Sequence, residues 1–560
     1  MRRICVFGLI LCLLAGCCVA AAGEASVPVP DKDVIILFTS DVHCGIDENW
    51  GYAGLYAMKQ SLSGDNYVLL VDDGDAFQGE PVGTMTTGEG IVDIMNVMGY
   101  DVAIPGNHDF DYGVDRFLEL TEKANFPYIC CNFNREGKLL FNPSLIKEVG
   151  GIKIGFVGVT TPMTLRTCTP RYFMNDAGDF IYGFLQDKTG ESLYSAVQKA
   201  VDDVRAAGAD YVVLIAHLGL DEESSPWKYD EVVANTTGID VVLDGHSHDV
   251  EKGIVVKAGD GKDVIRAACG TKLNNVGALT IAADGTLSTQ LFGWVSGIAA
   301  PKLLGIRNAG SEAVSRASDV LSAKLKDVVA KTEVDLVISD PDSLDEEGNP
   351  VRIIRQRETN LGDLCADAYL DQAGDADIAF VNGGGIRAGL KAGDITLNDI
   401  LMIHPFGNYL TVIEVTGQQI LDALEWSVHS LPGEFGGFNQ VAGLTFEYDD
   451  TIPSPAVEND DNMMFDHIDD TMERRVRNVM VAGEPLDPRK LYKLASHSFE
   501  LLNNGDGYTM YQGAAVVQEA VKLDNQVLID FITETLGGVV GGRYTDPYGQ
   551  GRIVPVGAEK

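Results

Sequence analysis

The sequence predicts an α/β fold built as two units. Short β-branched runs alternate with segments of helical periodicity through the first three hundred residues, and the alternation resumes beyond an acidic stretch at 339–350. The 560 residues, 45% of them hydrophobic, can also bury more than one core.

In chain order, Arg2 and Arg3 precede an apolar stretch from Ile4 to Leu14, too short to span a membrane but the length of an export-signal core. It runs into Leu14-Ala15-Gly16-Cys17, which resembles the bacterial lipobox with Cys17 as the lipidated residue; the competing reading is an ordinary cut near Ala20-Ala21-Ala22. Residues 1–30 are assigned to targeting, so the protein is expected to be exported, meeting a membrane only through this anchor. No later run reaches eighteen unbroken apolar residues.

The stretches 34–38, 67–71, 102–104, 152–159, 211–216 and 239–243 are apolar and rich in β-branched residues, as strands buried on both faces are. Between them Ile91, Ile94, Met95 and Met98 recur at helical spacing, as do Leu193, Val197, Val201 and Val204. An amphipathic segment from Leu304 to Val329 is expected as a helix bridging the units, and 339–350 as a surface loop. The domain expectation is therefore 31–300, a linker helix at 301–330, and a second α/β unit at 331–556.

A formal charge of -40 repels polyanions and excludes a nucleic-acid scaffold; a phosphate-bearing ligand needs local metal ions or arginines to hold it. Outside the signal region, Cys44, Cys130, Cys131, Cys168, Cys269 and Cys365 form no CxxC metal motif and are too sparse for a disulfide scaffold, leaving room for a single bridge.

The ends of the strands carry the chemistry. The predicted strands run into Asp41-Val42-His43, Asp72-Asp73-Gly74-Asp75, Gly106-Asn107-His108, His217 and Asp244-Gly245-His246-Ser247-His248. In open α/β sheets ligands collect beyond the carboxyl ends of strands, so these loops are expected to share one crevice. Five of the nine histidines fall here, with Asp41, Asp75 and Asn107 beside them. Such oxygen and nitrogen donors suit Zn, Mn, Fe or Co. Seven ligands are too many for one catalytic ion but suit two ions that clamp a phosphoryl group and generate hydroxide near neutral pH. The implied reaction class is metal-assisted phosphoester hydrolysis.

These motifs, D-x-H (41–43), GD (74–75), GNHD (106–109), His217 and GHSH (245–248), resemble the calcineurin-like metallophosphoesterase signature. In the second unit "ETNLGDLCADA" (358–368), "NGGGIRAGL" (382–390), "HPFGN" (404–408) and "NNGDGY" (503–508) resemble the C-terminal domain of the 5′-nucleotidase family. The resemblance implies a four-layer α/β/β/α sandwich joined by a helix to a nucleotide-recognition domain. It places Asp41, His43 and His248 on a first divalent ion and Asn107, His217 and His246 on a second, with Asp75 bridging and Zn or Mn favoured over Fe or Co. His248 departs from exported relatives that carry an amide there.

His108 then stabilises the transferring phosphoryl group or protonates the leaving alcohol, oriented by Asp111, while Asp109 is read as a turn residue facing away. Asp72 and Asp73 are read as loop carboxylates and Cys44 as a small packed residue. Arg355 and Arg387 match phosphate-holding arginines, with Arg352 and Arg357 nearby; Asn382 is placed at the base, Phe406 as one aromatic jaw and Asp506 near the ribose. The family's second stacking Phe lies six residues before the Asp of GDG, where this chain has Glu500. Phe499 is one residue earlier, and a bulge absorbed at Asn503-Asn504-Gly505 is expected to return it to the cleft.

The function implied is hydrolysis of nucleoside 5′-monophosphates to nucleoside and phosphate, extending to cyclic nucleotides, nucleoside diphosphates or UDP-sugars. Two alternatives keep the fold: a metallohydrolase of the same superfamily with a non-nucleotide substrate, and an inactive solute-binding lipoprotein. The nucleotidase-like second unit weighs against the first, and the complete ligand set against the second.

Overall fold

A computed structural model describes residues 28–175, 177–294, 307–319, 325–344, 350–459, 462–519 and 521–556. The export signal, Cys17 and parts of the expected linker, 301–306 and 320–324, lie outside the described residues.

The N-terminal half holds two facing sheets. One orders Leu287–Gly293 (β11), Asn275–Ile281 (β10), Val34–Thr39 (β1), Tyr67–Asp72 (β2) and Val102–Ala103 (β3), with β1, β2 and β3 parallel. The other orders Val250–Lys257 (β8), Asp263–Cys269 (β9), Val241–Asp244 (β7), Tyr211–His217 (β6), Ile152–Thr160 (β5) and Ser144–Val149 (β4), with β5, β6, β7 and β9 parallel.

Alternation along each strand explains why their apolar runs are unbroken. Ile36, Phe38, Ile154, Phe156, Val213 and Ile215 meet between the sheets. Leu37 and Leu70 face helices Gly51–Leu62 and Glu89–Met98, whereas Val157, Val212 and Leu214 face helix Glu191–Ala206. This is the four-layer α/β/β/α sandwich, and each large apolar side chain buried in it contributes about 1.5–3 kcal/mol. Glu89–Met98 is bounded by Gly88 and Gly99, both left-handed, and buries Ile91, Ile94, Met95 and Met98, the periodic set.

The C-terminal half has a mixed sheet of Asn439–Ala442 (β14), Ile378–Asn382 (β12), Leu491–His497 (β15), Leu410–Thr416 (β13) and Ala515–Gln518 (β16), in that order. Helix Asn360–Ala373 covers one face through Leu361, Leu364 and Ala368; helix Gly417–Ser427 covers the other through Ile420, Leu424 and Trp426. β12 and β15 are parallel, so their carboxyl ends deliver Asn382 and His497 side by side.

Two expectations are corrected. The segment 304–329 is not one helix: helix Ala309–Asp319 packs on the first sandwich, and Val328–Thr332 is a strand paired with Gly393–Thr396, as its paired β-branched valines favour. Ser339–Leu344 and Pro350–Arg352 pair as a short ribbon where a loop was expected, because a ladder uses backbone groups and leaves acidic side chains in water. The six cysteines from Cys44 to Cys365 are all free and buried.

Candidate active site

The loops after β1, β2, β3, β6 and β7 meet at one edge of the sandwich, and they reach it in a costly conformation. Asp41, His43, Asp75, His246 and His248 all have positive φ, between 45° and 86°. Non-glycine residues adopt this region rarely, and clusters of them mark functional sites. Gly106 has no alternative, since a Cβ there would run into the backbone and carboxylate of Asp75.

Asp109 holds this arrangement together, which corrects its reading as an outward turn residue. Its Oδ2 accepts the backbone N–H of Gly106 at 2.8 Å and Asp75 at 3.1 Å, and its Oδ1 those of Ala76 at 3.0 Å and Phe77 at 3.1 Å. Asp72 is likewise a buried tie, accepting from Thr39 Oγ1 at 2.6 Å at the end of β2. Asp73 is buried, and its carbonyl accepts from His217 Nδ1 at 2.8 Å. Cys44 packs beside the site as expected.

The seven candidate ligands converge. His43 Nε2 lies 3.0 Å from His248 Nε2 and 3.8 Å from Asp75 Oδ2, and His248 Nε2 lies 3.5 Å from Asp41 Oδ1. His217 Nε2 lies 3.2 Å from Asp75 Oδ2 and 3.9 Å from Asp41 Oδ1. Asn107 Oδ1 lies 3.2 Å from His217 Nε2 and 2.9 Å from His246 Nδ1.

This donor set fits divalent cations. Nδ1 of His43 donates to the Gln78 carbonyl, so in its neutral ring the Nε2 lone pair faces the cluster. Nδ1 of His217 donates to the Asp73 carbonyl, and although burial opposes charge on it, Asp75 and Asp41 raise His217 to about 10, the pull that two carboxylates exert on any cation placed there. Burial lowers His43 and His246 to about 3, keeping them neutral as ligands must be. Burial, with Asp75 adding repulsion, raises Asp41 to about 7. Burial also opposes charge on Asp75, but His217 and His108 hold it well below the carboxylate range.

Outside the ligands, buried Arg266 braces the His246 and His248 loop: its Nη2 donates to Asp244 at 2.8 Å and to Asp249 at 2.9 Å, over the Tyr229 ring. Its only sequence signal is a charge inside the apolar run of β9.

His108 stands beside the cluster with Nδ1 2.7 Å from Asp111 Oδ2, the expected pair. A cavity of about 250 Å³ opens from it toward the C-terminal half, and Arg355, Arg387, Asn382, Phe406, Phe499 and Asp506 line the opposite wall. Arg355 and Arg387 are pressed down to about 9 and about 10 by burial and by neighbouring arginines, a crowd of cations suited to an anion. Arg352 also lines the cavity and pairs with Glu434, whereas Arg357 lies over the Tyr548 ring. Phe406 lies 5.8 Å from the His108 ring and 5.9 Å from the Arg387 guanidinium. Glu500 is buried against Asn439, at 3.1 Å, and does not line the cavity.

The halves also meet through Arg166. Its buried guanidinium pairs with Glu223 on its own side and reaches Glu458 at 3.4 Å, the Met463 carbonyl at 3.3 Å and the Phe435 ring at 5.6 Å across the interface.

Comparison with known proteins agrees with this division. The calcineurin-like phosphoesterase family matches residues 35–250, and the 5′-nucleotidase C-terminal domain matches residues 328–513. The trifunctional nucleotide phosphoesterase protein YfkN of Bacillus subtilis is 28% identical over 566 residues, covering 90% of this chain and 35% of that longer protein. The 5′-nucleotidase of Vibrio cholerae is 26% identical over 565 residues, covering 93% of this chain and 94% of its own length. The crystal structure of a 5′-nucleotidase precursor from Thermus thermophilus superposes with a TM-score of 0.74 at 27% identity, covering 94% of this chain and 100% of that one.

Proposed function

The chain belongs to the 5′-nucleotidase family of metallophosphoesterases, and on that premise we propose that it hydrolyses nucleoside 5′-monophosphates to nucleoside and inorganic phosphate. The observation that carries this is one cavity on which a His/Asp cluster able to hold cations, two arginines and two phenylalanines converge.

Asp41, His43 and His248 would hold one divalent ion and Asn107, His217 and His246 the other, with Asp75 between them. Two such ions, Zn or Mn in this reading and otherwise Fe or Co, would supply activation of water and neutralisation of phosphoryl oxygens. Arg355 and Arg387 clamp the phosphate from the other wall. Asp111 fixes the His108 ring through Nδ1, leaving Nε2 to hold a proton for the departing 5′-oxygen. Phe406 and Phe499 sandwich the base, while Asn382 and Asp506 read the nucleoside. Cyclic nucleotides, nucleoside diphosphates and UDP-sugars offer the same groups.

A phosphate-release screen with added Mn²⁺ or Zn²⁺ tests this. AMP and other 5′-monophosphates should exceed 3′-AMP and aryl phosphates in kcat/KM by at least tenfold. No turnover of any nucleotide would sink the proposal.

The sequence pattern at 2–18 supports export with a lipid on Cys17. Among the described residues no helix is long and apolar enough to cross a membrane. Palmitate should label the wild type and not Cys17→Ala; equal labelling would refute the anchor.

A further inference from the structure

We propose that His497 is a positioning residue for nucleoside recognition, fixing the Asn382 amide so that Asn382 and Asp506 present one donor and one acceptor of set polarity to the ligand. This rests on the nucleotidase reading above, which places Asn382 and Asp506 at the nucleoside.

His497 ends β15 and is the N-cap of helix Ser498–Asn503, where its side chain accepts the Glu500 backbone N–H at Nδ1, 3.3 Å away. A nitrogen that accepts carries no proton, so in the neutral ring Nε2 carries it. Burial, with His404 nearby, lowers His497 to about 3, which keeps the ring neutral. Nε2–H therefore donates to Asn382 Oδ1 at 2.8 Å.

That bond decides the amide. With its oxygen toward His497, Asn382 turns Nδ2 to Asp506 Oδ2, at 2.5 Å. A flipped amide would set N–H against N–H on one side and oxygen against carboxylate on the other. Asn382 thus keeps one N–H and Asp506 one carboxylate oxygen for a ligand in the cavity that both residues line. The packing admits no slack: a Cβ on Gly385 would strike Asn382 Oδ1, and the Trp426 indole donates to the Asp506 carbonyl at 2.9 Å. The same ring lies 5.7 Å from that of Phe499. One imidazole therefore joins the start of the helix carrying the base-stacking ring to the pair that reads the rest of the nucleoside.

Two variants separate the donor from the cap. His497→Asn keeps a capping oxygen but is too short to replace the Nε2 donor; His497→Gln keeps a donor at that reach and caps poorly. KM and kcat are measured for AMP and for 4-nitrophenyl phosphate, which has no nucleoside, with Mn²⁺ present. For His497→Asn the expected result is a KM for AMP raised about tenfold, with the aryl KM and both kcat values within about threefold of wild type. His497→Gln should return the AMP KM to within about threefold. An unchanged AMP KM in His497→Asn, equal rises for both substrates, or a His497→Gln more impaired than His497→Asn would overturn the proposal. Absence of AMP turnover in the wild type would remove the nucleotidase reading and this inference together, so the two failures are distinguishable.

Discussion

His108 is tied to the site without being among the converging donors: its backbone N–H donates to Asp75 Oδ1 and its Nδ1 to Asp111 Oδ2, each at 2.7 Å. His108→Ala should keep its metal ions and lose about 10²–10⁴-fold in kcat, the contribution of a positioned acid–base group; an ion-free variant would make it a ligand instead. At the other wall, Phe499→Ala should raise KM for AMP tenfold or more, matching the roughly 1–3 kcal/mol of an aromatic stacked on a base, and leave an aryl phosphate nearly unaffected. Equal changes for both substrates would assign Phe499 to the core. The convergence of the seven proposed ligands with His108 and Asp111 was legible because each follows a recognisable strand within a short motif. Asp109 and His497 were not, since their roles consist of bonds to backbone or side chains distant in sequence, and an Asp in a turn or a lone His is locally unremarked.

The helix Ser498–Asn503 sends its two neighbouring residues Phe499 and Glu500 to different surroundings. Asn504 and Asp506 take left-handed φ of 58° and 51°, turning Phe499 to the cavity and Glu500 into the core. Burial raises Glu500 from its ordinary 4.5 to about 8. Between these values the folded state holds a proton that the unfolded chain has released. The stability contributed by neutral Glu500 is therefore complete below about 4.5 and is lost as pH rises through about 8. Glu500→Gln should match wild type in unfolding free energy at pH 4.5 and exceed it by about 2–4 kcal/mol at pH 9. Parallel pH curves would show that Glu500 is solvated. The turn residues were legible here, but the strand at the end of 304–329 was not: amphipathic spacing runs on to Val329, and it is pairing with Gly393–Thr396 and Val539–Val540 that reveals Val328–Thr332 as a strand.

Across the whole molecule, the sandwich was legible because strands buried on both faces leave unbroken apolar runs, and parallel strands send their loops to one edge. The apposition of the halves was not. Nothing local in the sequence says that Arg166 reaches Met463 and Phe435, or that Thr84 Oγ1 donates to the Pro405 carbonyl at 2.8 Å. That apposition brings the Asp41, Asp75 and His217 cluster within one site with Arg355 and Arg387, in a chain whose net charge is -40. Against that charge an anionic phosphate needs both walls, so the ions are indispensable to the account. The decisive measurement is a titration of chelator-stripped protein with Mn²⁺, following bound ions and phosphate released from AMP together. Activity should be absent without metal and should saturate when two ions are bound per chain; full turnover in the stripped protein, or saturation at a single ion, would contradict the dinuclear centre.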